Sequence, residues 1–123
     1  MDDLKLGAIE SHFADIIWQR EPIGSGDLVR ICRDELGWQK STTYTVLRKL
    51  CDRGIFRNDG GTVTSLISRE EFDALRGKQF IDEIYHGSLP AFIAAFTKKN
   101  ALNEAEITEI RRMIDTYGKE DGK

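Results

Sequence analysis

A basic segment lies in the middle of a chain that is acidic overall. Residues 40–57 (KSTTYTVLRKLCDRGIFR) contain five Lys or Arg residues and one Asp, although the 123-residue chain has a formal net charge of -3. Ammonium and guanidinium groups neutralise phosphates, and hydroxyl and guanidinium groups form hydrogen bonds with base edges. The segment therefore indicates binding to nucleic acid. The alternative is an ordinary amphipathic surface helix with a solvated basic face.

The basic segment has the spacing of a helix, which we place at residues 41–53. The side predicted to pack carries Thr43, Val46, Leu47, Leu50 and Gly54. The opposite side carries Ser41, Tyr44, Thr45 and Arg48, with Lys49 and Arg53 on its flanks and Lys40 at the start of the segment. Asp52 follows Arg48 by four residues, and we expect the two to form a weak ion pair.

The neighbours of this helix predict a winged helix-turn-helix. Asp59-Gly60 separates two short strand-like runs, residues 55–57 and 62–67, which is typical of a β-hairpin. A shorter helix over residues 27–36 precedes the basic helix and ends at Gly37. Two helices joined by a tight turn and followed by a hairpin place the second helix in the major groove and the hairpin tip along the backbone.

The rest of the chain is helical by pattern. A first helix over residues 6–20 packs behind the helix-turn-helix. Ser68 begins a helix that reaches about residue 86, Ser88 begins another, and Asn103 with Glu106 has capping-box spacing before the last. The predicted fold class is mainly α with a small β-hairpin. We predict a DNA-binding domain over residues 1–67 and a helical dimerisation domain over residues 68–123.

The helices after the hairpin carry more apolar surface than about fifty residues can cover. A second copy would cover the remainder, and a two-fold dimer presents two recognition helices to two half-sites. The alternative is a monomer whose helices fold back on the winged domain. The residues that we assign to the dimer interface are Phe80, Ile84, Leu89, Phe92, Ile93, Phe96, Ile107, Ile110 and Ile114.

Residues that could perform catalysis or hold a metal are few. No His, Cys and carboxylate spacing resembles a metal site, and no nucleophile-base pair can be assembled, so we expect no catalytic residue, cofactor or metal. Cys32 and Cys51 fall within helical patterns, which favours buried thiols over a redox pair. No apolar run has the length of a membrane span and no secretory leader is visible, so we expect a cytoplasmic protein without membrane insertion.

An ordered series of motifs covers about 110 residues. They are Leu6-Gly7-x-x-Glu10, Ile17-Trp18, Leu36-Gly37-Trp38, Ser41-Thr42-Thr43-x-Thr45-Val46-Leu47-x-Lys49-Leu50, Arg53-Gly54, Phe80-Ile81-Asp82-x-Ile84-Tyr85-x-Gly87-Ser88 and Leu102-x-x-x-Glu106-Ile107. Together they resemble the penicillinase repressor family, of the BlaI/MecI/CopY type. The resemblance implies a homodimeric transcriptional repressor that binds a palindromic operator on double-stranded DNA. Such repressors often control antibiotic-resistance genes.

The same resemblance implies the positions of the contacts. The base and phosphate contacts of the family fall on Ser41, Thr42, Thr45, Arg48 and Lys49, with Arg57 and the hairpin tip as candidates for backbone contacts. Family members tied to β-lactam resistance are inactivated when a membrane sensor's protease system cuts an Asn-Phe bond. The matching bond here is Ala95-Phe96, which keeps Phe and lacks Asn. Copper-responsive members carry C-terminal Cys-x-Cys pairs, whereas this chain has no cysteine after Cys51.

Two other binding functions remain open at this point. A repressor gated by a small molecule would need a pocket between the domains, and Phe72, Phe80, Phe92 and Phe96 are candidates to line it. A winged-helix module that binds protein would have negligible affinity for any duplex. An enzyme is the class that the sequence favours least.

Overall fold

The computed structural model describes residues 5–121, with side chains described through residue 119. Within this range the chain forms six α-helices and three β-strands. In chain order these are α1 (Ala8–Arg20), β1 (Ile23–Gly24), α2 (Ser25–Leu36), α3 (Lys40–Asp52), β2 (Phe56–Asp59), β3 (Thr62–Ser65), α4 (Arg69–Tyr85), α5 (Leu89–Thr97) and α6 (Glu104–Asp121). The predicted fold class, a winged helix-turn-helix followed by helices, is confirmed.

The chain divides into two compact units, one ending at Gln79 and the other beginning at Phe80. Helix α4 therefore contributes residues to both units. The domain boundary predicted after Ile67 lies just before α4, and it stays a prediction.

The helix ends follow local hydrogen bonding. Helix α1 begins at Ala8, two residues later than predicted, where the Gly7 N–H donates to Glu10 Oε1 at 3.2 Å. Helix α2 ends at Gly37, whose φ of 70° lies in the left-handed region that favours glycine. There the Gly37 N–H donates to the Arg33 carbonyl and the Trp38 N–H to the Cys32 carbonyl, which terminates the helix ahead of α3.

The predicted hairpin is confirmed, and it belongs to a three-stranded antiparallel sheet in the order β1-β3-β2. Gly60 and Gly61 form its turn with φ values of 61° and 96°, the conformation of a two-residue hairpin loop with positive φ at both positions. The third strand, β1, was not predicted. It pairs Ile23 with Val63, and two residues are too few to show an alternating pattern.

The first unit has a closed hydrophobic core. Its buried residues come from α1, α2, α3, the sheet and the start of α4: Phe13, Ala14, Ile16, Ile17, Ile23, Leu28, Cys32, Leu47, Leu50, Ile55, Phe56, Val63 and Phe72. The Trp18 ring lies 5.3 Å from Phe56 and 5.4 Å from Phe72, and its Nε1–H donates to the Ile67 carbonyl. These contacts attach the start of α4 to α1 and the sheet. They also place Phe72 in this core.

The second unit comprises the end of α4 with α5 and α6. The predicted caps are confirmed, because the Ser88 hydroxyl accepts from the Ala91 N–H while Asn103 and Glu106 bond reciprocally. No side chain between Phe80 and residue 119 is fully buried, in contrast to the first unit. None of the helices within residues 5–121 combines the length and apolar character that a membrane crossing demands.

We expect Leu50→Ala to lower the free energy of unfolding of the first unit by about 2–5 kcal/mol, because a fully buried side chain is removed from a packed core. Urea titration followed by tryptophan fluorescence measures this, since both tryptophans lie in the first unit. Leu66→Ala is the matched control. Because Leu66 is 55% exposed, this substitution should change the free energy of unfolding by no more than about 0.5 kcal/mol. Equal losses in the two variants would contradict this core.

Candidate nucleic-acid interface

Three buried side chains determine which face of α3 is exposed. Thr43, Leu47 and Leu50 are almost completely buried in the core of the first unit. They recur at the spacing of a helix that packs along one side. The Thr43 hydroxyl donates back to the Gln39 carbonyl at 3.5 Å, so this buried polar group is satisfied within the helix. The remaining face of α3 points away from the core.

Most of the predicted DNA-binding residues lie on that exposed face or on the wing, the hairpin formed by β2 and β3. The exposed members are Lys40, Ser41, Thr42, Thr45, Arg48, Lys49 and Arg57. Ser41, Thr45 and Arg48 follow one another at i, i+4 and i+7, which aligns two hydroxyls and a guanidinium along the helix. This arrangement can bond base edges, while the flanking ammonium groups can reach phosphates.

Tyr44 is placed differently from the expectation that it shares the free face. Its side chain is half-buried, and its hydroxyl donates to Ser25 Oγ, at the start of α2, at 3.0 Å. The physical reason is that Tyr44 lies at the border of the two faces, where its long side chain reaches sideways to α2. Its predicted contact with DNA stays a prediction.

Two of the basic groups have carboxylate partners. Lys49 Nζ lies 2.7 Å from Glu10 Oε2 on α1, and Arg57 lies 3.5 Å from Asp59 on the same strand. The hydrogen bond from Lys49, followed by that from the Gly7 N–H, lowers the pKa of the Glu10 carboxyl. Lys49 is thus tied to α1 as well as being exposed. The importance of Glu10 could not be recognised from the sequence, because its partner lies 39 residues away.

The expected ion pair between Arg48 and Asp52 is absent. Within the part of the chain that the structure describes, Arg48 has no carboxylate within ion-pair distance. A neighbouring arginine, Arg53, donates to the Lys5 carbonyl at 2.9 Å, and this contact holds the C-terminal end of α3 against the chain before α1. The guanidinium of Arg48 is therefore available to a ligand on the exposed face.

A groove of about 180 Å³ separates α3 from the first wing strand. Its walls are formed by Tyr44, Leu47, Arg48, Cys51 and Asn58. The lining is partly apolar, from Leu47, and partly polar, from Arg48 and Asn58. Burial raises the pKa of the Cys51 thiol, as it does for the fully buried Cys32, so both cysteines are held as neutral thiols near pH 7.

The residues predicted to form a dimer interface lie in the second unit and are largely exposed. Phe80, Ile84, Leu89, Ile93, Phe96, Ile110 and Ile114 are between 37% and 62% exposed, whereas Phe92 and Ile107 are half-buried. Five of them, Phe92, Ile93, Phe96, Ile107 and Ile110, line an apolar cleft of about 390 Å³ between α5 and α6. The candidate cleavage bond, Ala95-Phe96, lies near the end of α5 with both side chains exposed. Phe72 belongs to the first unit, whereas Phe80, Phe92 and Phe96 belong to the second.

Comparison with known proteins gives a consistent set of relatives. The family described as Penicillinase repressor matches residues 6–116. The methicillin resistance regulatory protein MecI of Staphylococcus aureus strain Mu50 is 23% identical over 115 residues, which cover 90% of this chain and 94% of the relative. MecI of Mammaliicoccus sciuri is 22% identical over the same length. The penicillinase repressor of Staphylococcus aureus is 20% identical over 120 residues, covering 94% of this chain and 95% of the relative.

We expect Glu10→Gln to destabilise the first unit more at pH 7 than at about pH 3. The folded-state pKa of Glu10 is lowered, so its ionised form stabilises the fold above the pKa of about 4.3 that a glutamate has in an unfolded chain. That stabilisation is lost as the pH falls through the folded-state pKa. Urea unfolding of variant and parent at both pH values measures the difference, and Glu70→Gln controls for the loss of one negative charge. Equal destabilisation at pH 7 and pH 3 would show that charge is not the cause.

Proposed function

The chain belongs to the penicillinase repressor family. We propose that it acts as a homodimer that binds a palindromic operator through α3. Members of the family are DNA-binding regulators, so the chain is a transcriptional repressor and not an enzyme. The observation that carries the finer proposal is the exposed face of α3. Its hydroxyls, and a guanidinium without a carboxylate partner among residues 5–119, lie next to a wing with a tight glycine turn.

Base reading is assigned to the row formed by Ser41, Thr45 and Arg48. Arg48 is exposed and has no carboxylate partner among the described residues, so bonding a base edge requires no ion pair to break. Lys49 and Arg57 do have carboxylate partners, and their ammonium and guanidinium groups suit the phosphate backbone better than a base edge. Lys40 and Thr42 flank the start of the helix and complete the proposed contact set.

Dimerisation is supported by the open apolar side chains of the second unit. A protein surface rarely leaves so many large apolar side chains exposed without a partner. The cleft between α5 and α6 also has an apolar lining, which resembles that of a protein core. A second copy would cover both. Two linked winged units then bind two half-sites with a higher effective concentration than separate chains have.

The regulated genes and the relief of repression are part of the same proposal. The relatives are named for regulation of methicillin resistance and of penicillinase, and we assign a resistance operon to this chain by that relationship. Relief by proteolysis would act at Ala95-Phe96, the bond near the end of the nine-residue helix α5. A cut there would separate α5 from α6 and so open the dimer surface. A protease tied to a membrane sensor would have to accept Ala in place of Asn before Phe96.

We expect Arg48→Ala to weaken binding to the selected duplex, meaning the sequence that the parental protein enriches from a random DNA pool, by about 1–3 kcal/mol. The variant should also relax the base preference at one position of each half-site, because a guanidinium that bonds a base edge is lost. Fluorescence anisotropy at fixed salt measures the affinity of the full chain.

Two companion variants make this result specific. Arg112→Ala removes an exposed guanidinium from α6 and should leave the affinity for the selected duplex close to parental. Lys49→Ala should weaken binding to every duplex alike and lower the salt slope by about one, since a phosphate contact carries no sequence information. The assignment of Arg48 to a base would be wrong if Arg48→Ala behaved like Lys49→Ala.

We expect Ile114→Glu to raise the dissociation constant of the dimer by at least about 100-fold, which corresponds to ~2.7 kcal/mol. Ile114 is 62% exposed in the single chain, so the new charge is tolerated there, whereas a dimer interface would bury it without a partner. Sedimentation equilibrium of the full chain measures the constant.

Thr116→Glu is the matched control, because it adds the same charge to an exposed position two residues further along α6. Its dissociation constant should remain near that of the parent. A monomeric parent, or a dimer that tolerates both variants equally, would contradict the assignment of this surface. A small molecule that stabilises the parent and releases it from DNA would instead favour a ligand-gated repressor.

A further inference from the structure

Tyr44 and Ser25 connect the recognition helix α3 to the start of α2. The Tyr44 hydroxyl donates to Ser25 Oγ at 3.0 Å, and the tyrosine ring forms one wall of the groove beside the wing. A phenol has one O–H to donate. While it donates to Ser25, Tyr44 has no second O–H for a base edge.

Ser25 in turn holds the far end of the wing. Its backbone N–H donates to the carbonyl of Gly61, in the wing turn, at 2.7 Å. The Gly61 N–H donates to Asn58 Oδ1 at 3.0 Å, on the first wing strand. A Cβ placed on Gly61 would lie 3.8 Å from Ser25 Oγ, so the serine hydroxyl lies directly against the turn. A continuous series of contacts thus runs from α3 through Ser25 to the wing turn.

The near end of the wing is fixed in another way. Strand β2 follows α3 after three residues, and the Ile55 N–H donates to the Leu50 carbonyl at 3.1 Å. At the opposite end, beyond β2 and β3, Gly24 of β1 pairs with Thr62 next to the turn, so the sheet restrains part of any displacement of the turn relative to α3. Contacts at Ser25 are well placed to limit that displacement.

We propose that Tyr44 and Ser25 are a pair of positioning residues that set the wing turn against α3, and that Tyr44 makes no base contact. The inference rests on the proposed DNA-binding function and deepens it. With the turn fixed relative to α3, the wing meets the sugar-phosphate backbone in register when Arg48 and Thr45 meet the bases. The pair affects the affinity for all sequences alike, whereas Ser41, Thr45 and Arg48 determine the base preference.

The test compares Tyr44→Phe, Ser25→Ala and the double variant, as full-length chains, for binding to the selected duplex and to the same duplex with one base pair exchanged at a time. Each single variant is expected to weaken binding by about 3- to 10-fold, the range for one neutral hydrogen bond. The double variant should be no weaker than either single variant, because both remove the same bond. The ranking of the exchanged base pairs should stay parental.

A second readout needs no DNA. Hydrogen exchange of the Ser25 amide, which is bonded to the Gly61 carbonyl, should accelerate in Tyr44→Phe, since the serine loses its link to α3. Tyr85→Phe removes a hydroxyl from a half-buried tyrosine of the second unit and should change neither the affinity nor the exchange.

Three results would overturn the proposal. The first is a changed base preference in Tyr44→Phe that Ser25→Ala does not share, which would make Tyr44 a base contact. The second is additive weakening in the double variant, and the third is parental affinity together with parental exchange in both single variants. A parent that selects no duplex would refute the proposed function instead. Hydrogen exchange of the Ser25 amide would then test by itself whether Tyr44 and Ser25 position the wing turn.

Discussion

The rotation of α3 about its own axis is the constraint on which the rest of the interface depends. Thr43, Leu47 and Leu50 are buried to within 1% of full burial, so the helix cannot turn without opening the core of the first unit. This burial decides that the serine, threonine and arginine side chains of the opposite face reach solvent. The contacts of Lys49 with Glu10 and of Tyr44 with Ser25 also oppose rotation of the helix. The exposed face that we propose to bind DNA is therefore held in position by the fold itself.

The two units differ in how completely they bury their apolar residues. The first unit closes a core of thirteen residues around three helices, the sheet and the start of α4. The second unit has aromatic contacts among Phe80, Tyr85, Phe92 and Phe96, yet buries none of its described side chains completely. A closed unit suits independent binding to one half-site. In the proposed dimer, association would stabilise the open unit, and the strength of the dimer and the affinity for DNA would then be linked.

Local signals in the sequence were sufficient for α3 and for the wing. Helical spacing identified Thr43, Leu47 and Leu50 as packed, and Asp59-Gly60 identified the turn, because both signals lie within a few residues. Of the other residues predicted to pack, Val46 is half-buried, and Gly54 is exposed and lies beyond the end of α3. Tyr44 was harder, since at about 100° per residue it falls on the border between the two faces of the helix. The partners of the site residues could not be predicted at all: Ser25 precedes Tyr44 by 19 residues and Glu10 precedes Lys49 by 39. Such pairs are created by the packing of helices and not by the pattern within one of them.

We propose that two copies of α3 occupy two major grooves related by a two-fold axis. Methylation interference at guanine N7, which lies in the major groove, tests this directly on the duplex that the protein selects. Two symmetric patches, separated by about one helical turn of 10 base pairs or a multiple of it, are the predicted result. A single patch, patches without symmetry, or binding that ignores major-groove methylation would contradict it.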